Sequence, residues 1–151
     1  MTRAANRAFD GIVVGERLPA LEIDVTLACL VMYAAATWDF HRYHYDTRYV
    51  NERGFPAPFV DGQMLGALIA RQLMDWGGHD AFLRRLRYRL SAMVFVGDRI
   101  VVSGEVAHTR VDSGHGLAVC RVEIVKSDGT SVVSAAEGTV DFGPMAGEPA
   151  A

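Results

Sequence analysis

The chain has 151 residues, 50% of them hydrophobic, and a formal net charge of -3. That is enough apolar material for one sizeable core, so a single domain is expected. The mild acidity excludes the basic field of a nucleic-acid binder and the charge run of an acidic disordered tail.

Residues 1–8 form a polar arm with two arginines and no apolar run of signal-peptide length behind them. Residues 15–19, Gly-Glu-Arg-Leu-Pro, are punctuated as a loop. Leu21, Ile23 and Val25 alternate with Glu22, Asp24 and Thr26, which predicts a half-buried strand. Thr26 is placed to cap a helix over 27–36 that delivers Asp39 just past its end. A short helix is expected over 47–53, stopped by Gly54 and then by Pro56 and Pro58. The strongest helix runs over 62–76 and ends at Gly77-Gly78; residues 64–70 are apolar all round, which predicts enclosure.

After that helix the pattern changes to period two. Leu86, Tyr88 and Leu90 alternate with arginines, and Gly97-Asp98 makes a turn. Long β-type runs follow over 100–111, 117–125 and 131–142, separated by the Gly- and Asp-bearing turns 112–116 and 127–129. The expectation is an α+β domain over 9–142, an antiparallel sheet curled around a long central helix, with residues 143–151 as a flexible tail and no internal repeat. The apolar segments 26–36 and 64–74 are about half the roughly twenty residues that a bilayer span needs, so no membrane partner is expected. Cys29 and Cys120 lack metal-ligand spacing and read as free buried thiols, which with the missing export signal points to the reducing cytoplasm.

The stretch Thr37-Trp38-Asp39-Phe40-His41-Arg42-Tyr43-His44-Tyr45-Asp46 does not fit a plain helix surface. Asp39 and His44 are two proton-exchanging groups five residues apart among aromatics, and Phe59-Val60-Asp61-Gly62 follows at the head of the strongest helix. Taken alone, the pair reads more simply as a helix-terminal acid and a satisfied loop histidine.

Two motifs together favour chemistry. The segment resembles the MaoC-like dehydratase, or R-specific enoyl-CoA hydratase 2, family, whose signature G-D-x-N-P-[LIV]-H-x-D is followed by F-x-x-P-[IV]-x-H-G. Asp39, His44 and Asp46 fall on the first motif, and residues 55–62 on the second with Gly62 on its glycine. The chain departs from the pattern at Trp38, at His41-Arg42 and at Asp61, where the family has Gly, Asn-Pro and His. The likeness spans residues 10–142 and implies the hot dog fold.

The resemblance also implies a function. Water is added or removed across the α,β double bond of an acyl thioester (enoyl-CoA/3-hydroxyacyl-CoA type), with Asp39 and His44 sharing the proton transfers through one water and giving the R-hydroxy product. The backbone N–H of Gly62, at a helix N-terminus and with no side chain to block approach, would stabilise the enolate oxygen. Trp38, Phe40, Tyr43, Asp61, Gln63 and Arg85 are expected to contact substrate. Asp61 either caps the helix or repels the enolate. Arg84, Arg85, Arg87 and Arg89 either meet coenzyme A phosphates or form the solvated face of a strand. His41 is expected to be structural, His79, His108 and His115 carry no signal, and Met64 and Met74 fill the core.

No metal and no cofactor are expected beyond the coenzyme A or acyl carrier thioester that is part of the substrate. The expected assembly is a homodimer or higher homo-oligomer, or a heteromer with a related hot dog chain, as in members acting on steroid side chains. Two other readings stay open: a hot dog thioesterase using Asp61, and a non-catalytic subunit of a heteromeric hydratase.

Overall fold

A computed structural model describes residues 6–145. In chain order the elements are β1 (Arg17–Asp24), α1 (Leu27–Thr37), α2 (Thr47–Asn51), α3 (Gly62–Gly77), β2 (Phe82–Arg87), β3 (Arg99–Asp112), β4 (His115–Lys126) and β5 (Ser131–Pro144). The strands form one sheet in the order β1-β3-β4-β5-β2, and every neighbouring pair is antiparallel.

The hairpin turns explain the order. Between β3 and β4 the chain turns at Ser113 (φ 51°) and Gly114 (φ 77°), and between β4 and β5 at Gly129 (φ 88°). Successive positive φ values match the right-handed twist of the flanking strands. The three long strands are thereby stitched into a meander, and the short strands β1 and β2 are added at its two edges.

The sheet wraps α3. Ile69 and Leu73 are fully buried in the same cluster as Ile100, Val102, Ala118, Cys120, Ile124, Val133 and Val140. A side chain at Gly138 would overlap the Leu73 methyl, so this glycine lets the helix lie flush on β5. Gln72, only 1% exposed, donates from Nε2 to Pro19 O (3.0 Å) and Val102 O (2.9 Å). It thereby serves the carbonyls freed by the irregularity between Leu18 and Leu21 in β1.

Several boundaries differ from the sequence expectation. β1 starts at Arg17 and carries Pro19 inside it, which an edge strand tolerates because one side of its backbone has no partner strand. β2 ends at Arg87, earlier than the Leu86-Tyr88-Leu90 alternation implies. Tyr88 and Leu90 have left the sheet, and both lie against the first turns of α3. α2 stops at Asn51 and β5 continues to Pro144. Of the expected arm and tail, residues 1–5 and 146–151 lie outside the described residues.

The enclosure of α3 is incomplete. Ala67 is exposed, and with Gln63, Arg71 and Asp75 it forms a stripe uncovered in the single chain. Helix α1 lies outside the sheet, burying Leu30 and Ala34 while Leu27, Val31 and Met32 face outward. Both cysteines are free thiols. Among the described residues no helix is long and apolar enough to cross a membrane.

Candidate active site

Thr26 begins the construction by accepting from the Cys29 N–H and setting the start of α1. One face of that helix then presents Leu30, Tyr33, Ala34 and Thr37 to a common cleft, the i, i+3, i+4, i+7 spacing of a helical stripe. At its end Trp38 takes the left-handed conformation (φ 61°), and the Asp39 N–H returns to Ala34 O at 3.0 Å. This turn aims Asp39 back toward the cleft. It also gives a physical reason for glycine at this motif position, because a left-handed residue with a side chain costs about 1–2 kcal/mol. Asp39 Oδ1 accepts from the His41 N–H at 3.2 Å.

His44 stands at the end of a short 3-10 turn, Arg42–His44. Its Nδ1 lies 2.8 Å from the carbonyl of Phe59. A carbonyl can only accept, so Nδ1 carries the hydrogen and Nε2 of the neutral ring is left as the free lone pair. The Phe59 N–H in turn donates to Tyr43 O at 3.1 Å, and the Phe59 ring stacks on Tyr43 at 5.2 Å. The second motif thus clamps the first and orients its histidine.

Asp46 holds the far side of this loop. It caps α2 by accepting from the Tyr49 N–H (2.9 Å) and receives Arg42 through Nε (2.9 Å) and Nη2 (2.7 Å). Those two partners, Tyr49 N–H first, keep its carboxyl below the usual carboxylate range. Arg42 is held against Asp46 and over the Tyr49 ring (4.2 Å). His41 accepts from the Tyr43 N–H and stacks on that ring at 4.7 Å, so its contacts are structural.

Asp61 is the N-cap of α3, its Oδ1 accepting from the Gln63 N–H at 3.0 Å. Its Oδ2 is shielded from solvent and has no hydrogen-bond partner. One ligand atom each from Asp39, His44 and Asp61 lie within 4.8 Å of one another. They line a narrow cleft together with Tyr33, Thr37, Leu30, Ala34 and Met64. Burial raises the Tyr33 hydroxyl pKa, helped by the Asp61 carboxylate and Tyr88. The three clustered groups are metal-ligand types, and the positive end of the α3 dipole favours the carboxylates there.

Gly62 is the first residue of α3, where an amide has no carbonyl within the helix to pair with. The space its missing side chain leaves is taken by Leu90, whose methyl would lie 2.7 Å from a Cβ, and its carbonyl accepts from Tyr88 Oη at 3.3 Å. Its glycine character therefore makes room for Leu90. It does not open a path for a ligand on that side.

Of the residues expected to touch substrate, only Asp61 lines this cleft in the single chain. Trp38 is 82% exposed and meets Phe40 edge-on at 5.3 Å, so both stand on the surface beyond α1. Tyr43 belongs to an aromatic cluster with Tyr49, Phe55 and Phe59. Gln63 is exposed and contributes its main-chain N–H to Asp61. Arg85 pairs with Thr139 on the sheet and lines a separate groove with Arg84, His108 and Arg110. Sequence reasoning missed the Phe59 carbonyl altogether, since any residue offers one. It also passed over Leu30, Ala34 and Thr37, whose helical spacing with Tyr33 was the available signal.

Comparison with known proteins places the chain among relatives of one fold. A family model described as "MaoC like domain" matches residues 11–127. The "3-oxo-4,17-pregnadiene-20-carboxyl-CoA hydratase beta subunit" of Mycobacterium tuberculosis (strain ATCC 25618 / H37Rv) is 32% identical over 102 residues, 68% of this chain and 78% of that protein. Among solved structures, a chain of the ChsH1-ChsH2 complex from M. tuberculosis superposes with a TM-score of 0.75 at 29% identity, covering 85% of this chain and 97% of that one. The (R)-hydratase from A. caviae involved in PHA biosynthesis gives 0.77 at 25% identity, covering 86% and 96%.

Proposed function

Since this chain belongs to the MaoC-like dehydratase family and shares its hot dog fold, we propose that it adds or removes water across the α,β double bond of an acyl thioester. The observation that carries this reading is the hydrogen bond from His44 Nδ1 to Phe59 O, which leaves Nε2 as the basic nitrogen of a cleft that also holds Asp39.

In the hydration direction, Nε2 takes one proton as the water oxygen bonds to the β-carbon. The π-electron pair of that double bond moves through the α-carbon to the thioester oxygen as an enolate. The Gly62 amide is the proposed donor to that oxygen, a contribution of about 3 kcal/mol where such donors have been removed from other enzymes. The imidazolium then returns its proton to the α-carbon. Asp39 offsets the imidazolium charge and helps to hold the water. One water is consumed and no other reactant is required, so no cofactor beyond the thioester carrier enters. Dehydration runs the same steps in reverse.

The relatives named above suggest the substrate and the assembly. One is a coenzyme A hydratase subunit named for a steroid-derived acyl group, and a neighbour is a two-component complex. A bulky acyl-CoA and an assembly of two hot dog chains, identical or related, are therefore the specific form of the proposal. The uncovered stripe on α3 and the outward apolar face of α1 are consistent with a second chain. The thioesterase reading has less support, because the relatives named above carry hydratase names.

The test is a turnover screen over enoyl-CoA thioesters of graded acyl size, following loss of the conjugated-thioester absorbance. Asp39→Asn is expected to reduce turnover at least about a hundredfold with unchanged folding. Release of free thiol from saturated acyl-CoA, with no enoyl turnover alone or with a related hot dog chain, would replace this reading by the thioesterase one.

A further inference from the structure

Three acceptors converge in the cleft, and the reaction proposed above uses only two of them. Asp61 has one oxygen committed to the helix cap and the other, Oδ2, turned away from solvent with no partner. A buried acceptor in that condition is costly and rare in folded proteins, which marks it as a place for an arriving donor. The nearby protein donors do not serve it. The Thr37 hydroxyl donates to Tyr33 O at 2.9 Å, and no hydrogen bond joins Tyr33 Oη to Asp61.

We propose that Asp61 is a third catalytic group and a second carboxylate beside Asp39, whose Oδ2 accepts the second O–H of the attacking water and, after addition, the O–H of the new 3-hydroxyl group. This rests on the hydratase reading of the same site. The proton count is complete: one water proton passes to His44 Nε2 and on to the α-carbon, while the other stays on oxygen, directed at Asp61. Holding that second hydrogen fixes how the water presents its lone pair to the β-carbon, an orienting effect that acts on kcat. The same contact makes the site selective for ligands bearing a 3-hydroxyl, because an analogue without it leaves the buried oxygen unpaired. Asp61 takes the place of the histidine of the family motif, so the contact is particular to chains with an acid here.

The experiment is a calorimetric comparison of 3-hydroxyacyl-CoA with the saturated acyl-CoA of equal length, on the full chain and on Asp61→Asn. Asparagine keeps an oxygen that can cap α3 but puts a donor in place of Oδ2. The unchanged chain should prefer the hydroxylated ligand by about tenfold or more. Asp61→Asn should lose that preference and most of kcat, while binding the saturated ligand within about twofold of the unchanged chain. Asp61→Ser, which also caps well, repeats the test if the first variant fails to fold. An equal preference before and after substitution, or none in the unchanged chain, overturns the proposal. If His44→Ala abolishes turnover while Asp61→Asn keeps the preference, only the role of Asp61 falls. Full activity of His44→Ala would remove the hydratase reading itself.

Discussion

His44 and Phe59, fifteen positions apart, are joined by a 2.8 Å hydrogen bond from the imidazole Nδ1 to the main-chain carbonyl. The bond selects the tautomer, and the ring of Phe59 packs against His44 (5.9 Å, edge-on), Tyr43 and Phe55 to hold that carbonyl in place.

Phe59→Ala keeps the carbonyl but loosens its support. It is expected to lower kcat about tenfold or more with a smaller change in KM, because the loss falls on orientation and not on substrate contact. Steady-state kinetics against an enoyl-CoA checks the split. An unchanged kcat would show that the ring does not position His44.

The contact of Leu73 with Gly138 predicts a non-additive pair. Gly138→Ala overpacks a fully buried methyl and should cost about 1–3 kcal/mol. Leu73→Ala leaves a cavity and should cost about 2–5 kcal/mol. In the double variant the added methyl fits into the cavity, so the two losses should sum to clearly more than the measured one. Denaturant unfolding of the four chains measures the difference.

Asp46 sets an acid-side dependence. The Tyr49 N–H and then Arg42 hold its carboxyl below the ordinary value of 3.8. A folded-state pKa below the unfolded one contributes stability that is present above the unfolded value and is lost as pH falls through the folded one. Asp46→Asn keeps a cap and loses the charge. The gap in stability between this variant and the unchanged chain should be full near pH 6 and close as pH drops below about 4. Thermal unfolding across that range gives the comparison.

The two thiols should react differently. Burial pushes the Cys120 thiol up to about 12, and it is fully buried, whereas Cys29 is partly exposed at the start of α1. An alkylating reagent at pH 8 should label Cys29 in the folded chain and reach Cys120 only after unfolding. Mass spectrometry of the labelled peptides distinguishes this from equal labelling.

Where local chemistry fixes an element, the sequence was a good guide. Thr26 caps α1, Gly77-Gly78 ends α3, and the Gly-bearing turns at 114 and 129 bound the long strands. Asp39 and His44 were singled out by two motifs at fixed spacing, and the structure brings both side chains to one cleft with Asp61. The misplaced features depend on contacts that no local pattern carries. β2 was drawn too late because Tyr88 and Leu90 keep the strand period while serving α3, where Tyr88 meets Gly62 O and Leu90 fills the space beside it. Trp38, Phe40 and Tyr43 were expected at the substrate because they flank Asp39, yet the left-handed turn at Trp38 sends that side chain outward as it brings Asp39 inward. Arg85 was chosen by charge alone, and the sheet register pairs it with Thr139, at a groove separate from the cleft.

The central claim is that His44 Nε2 carries the proton between water and the α-carbon. Its most direct test is solvent-proton exchange at the α-carbon of a 3-hydroxyacyl-CoA in deuterated water, followed by mass spectrometry for the unchanged chain and for His44→Ala, with folding checked by circular dichroism. The account predicts deuterium at the α-carbon with the unchanged chain and a loss of at least about a hundredfold in its rate for the variant. Deuterium incorporation at the same rate in both proteins would contradict it.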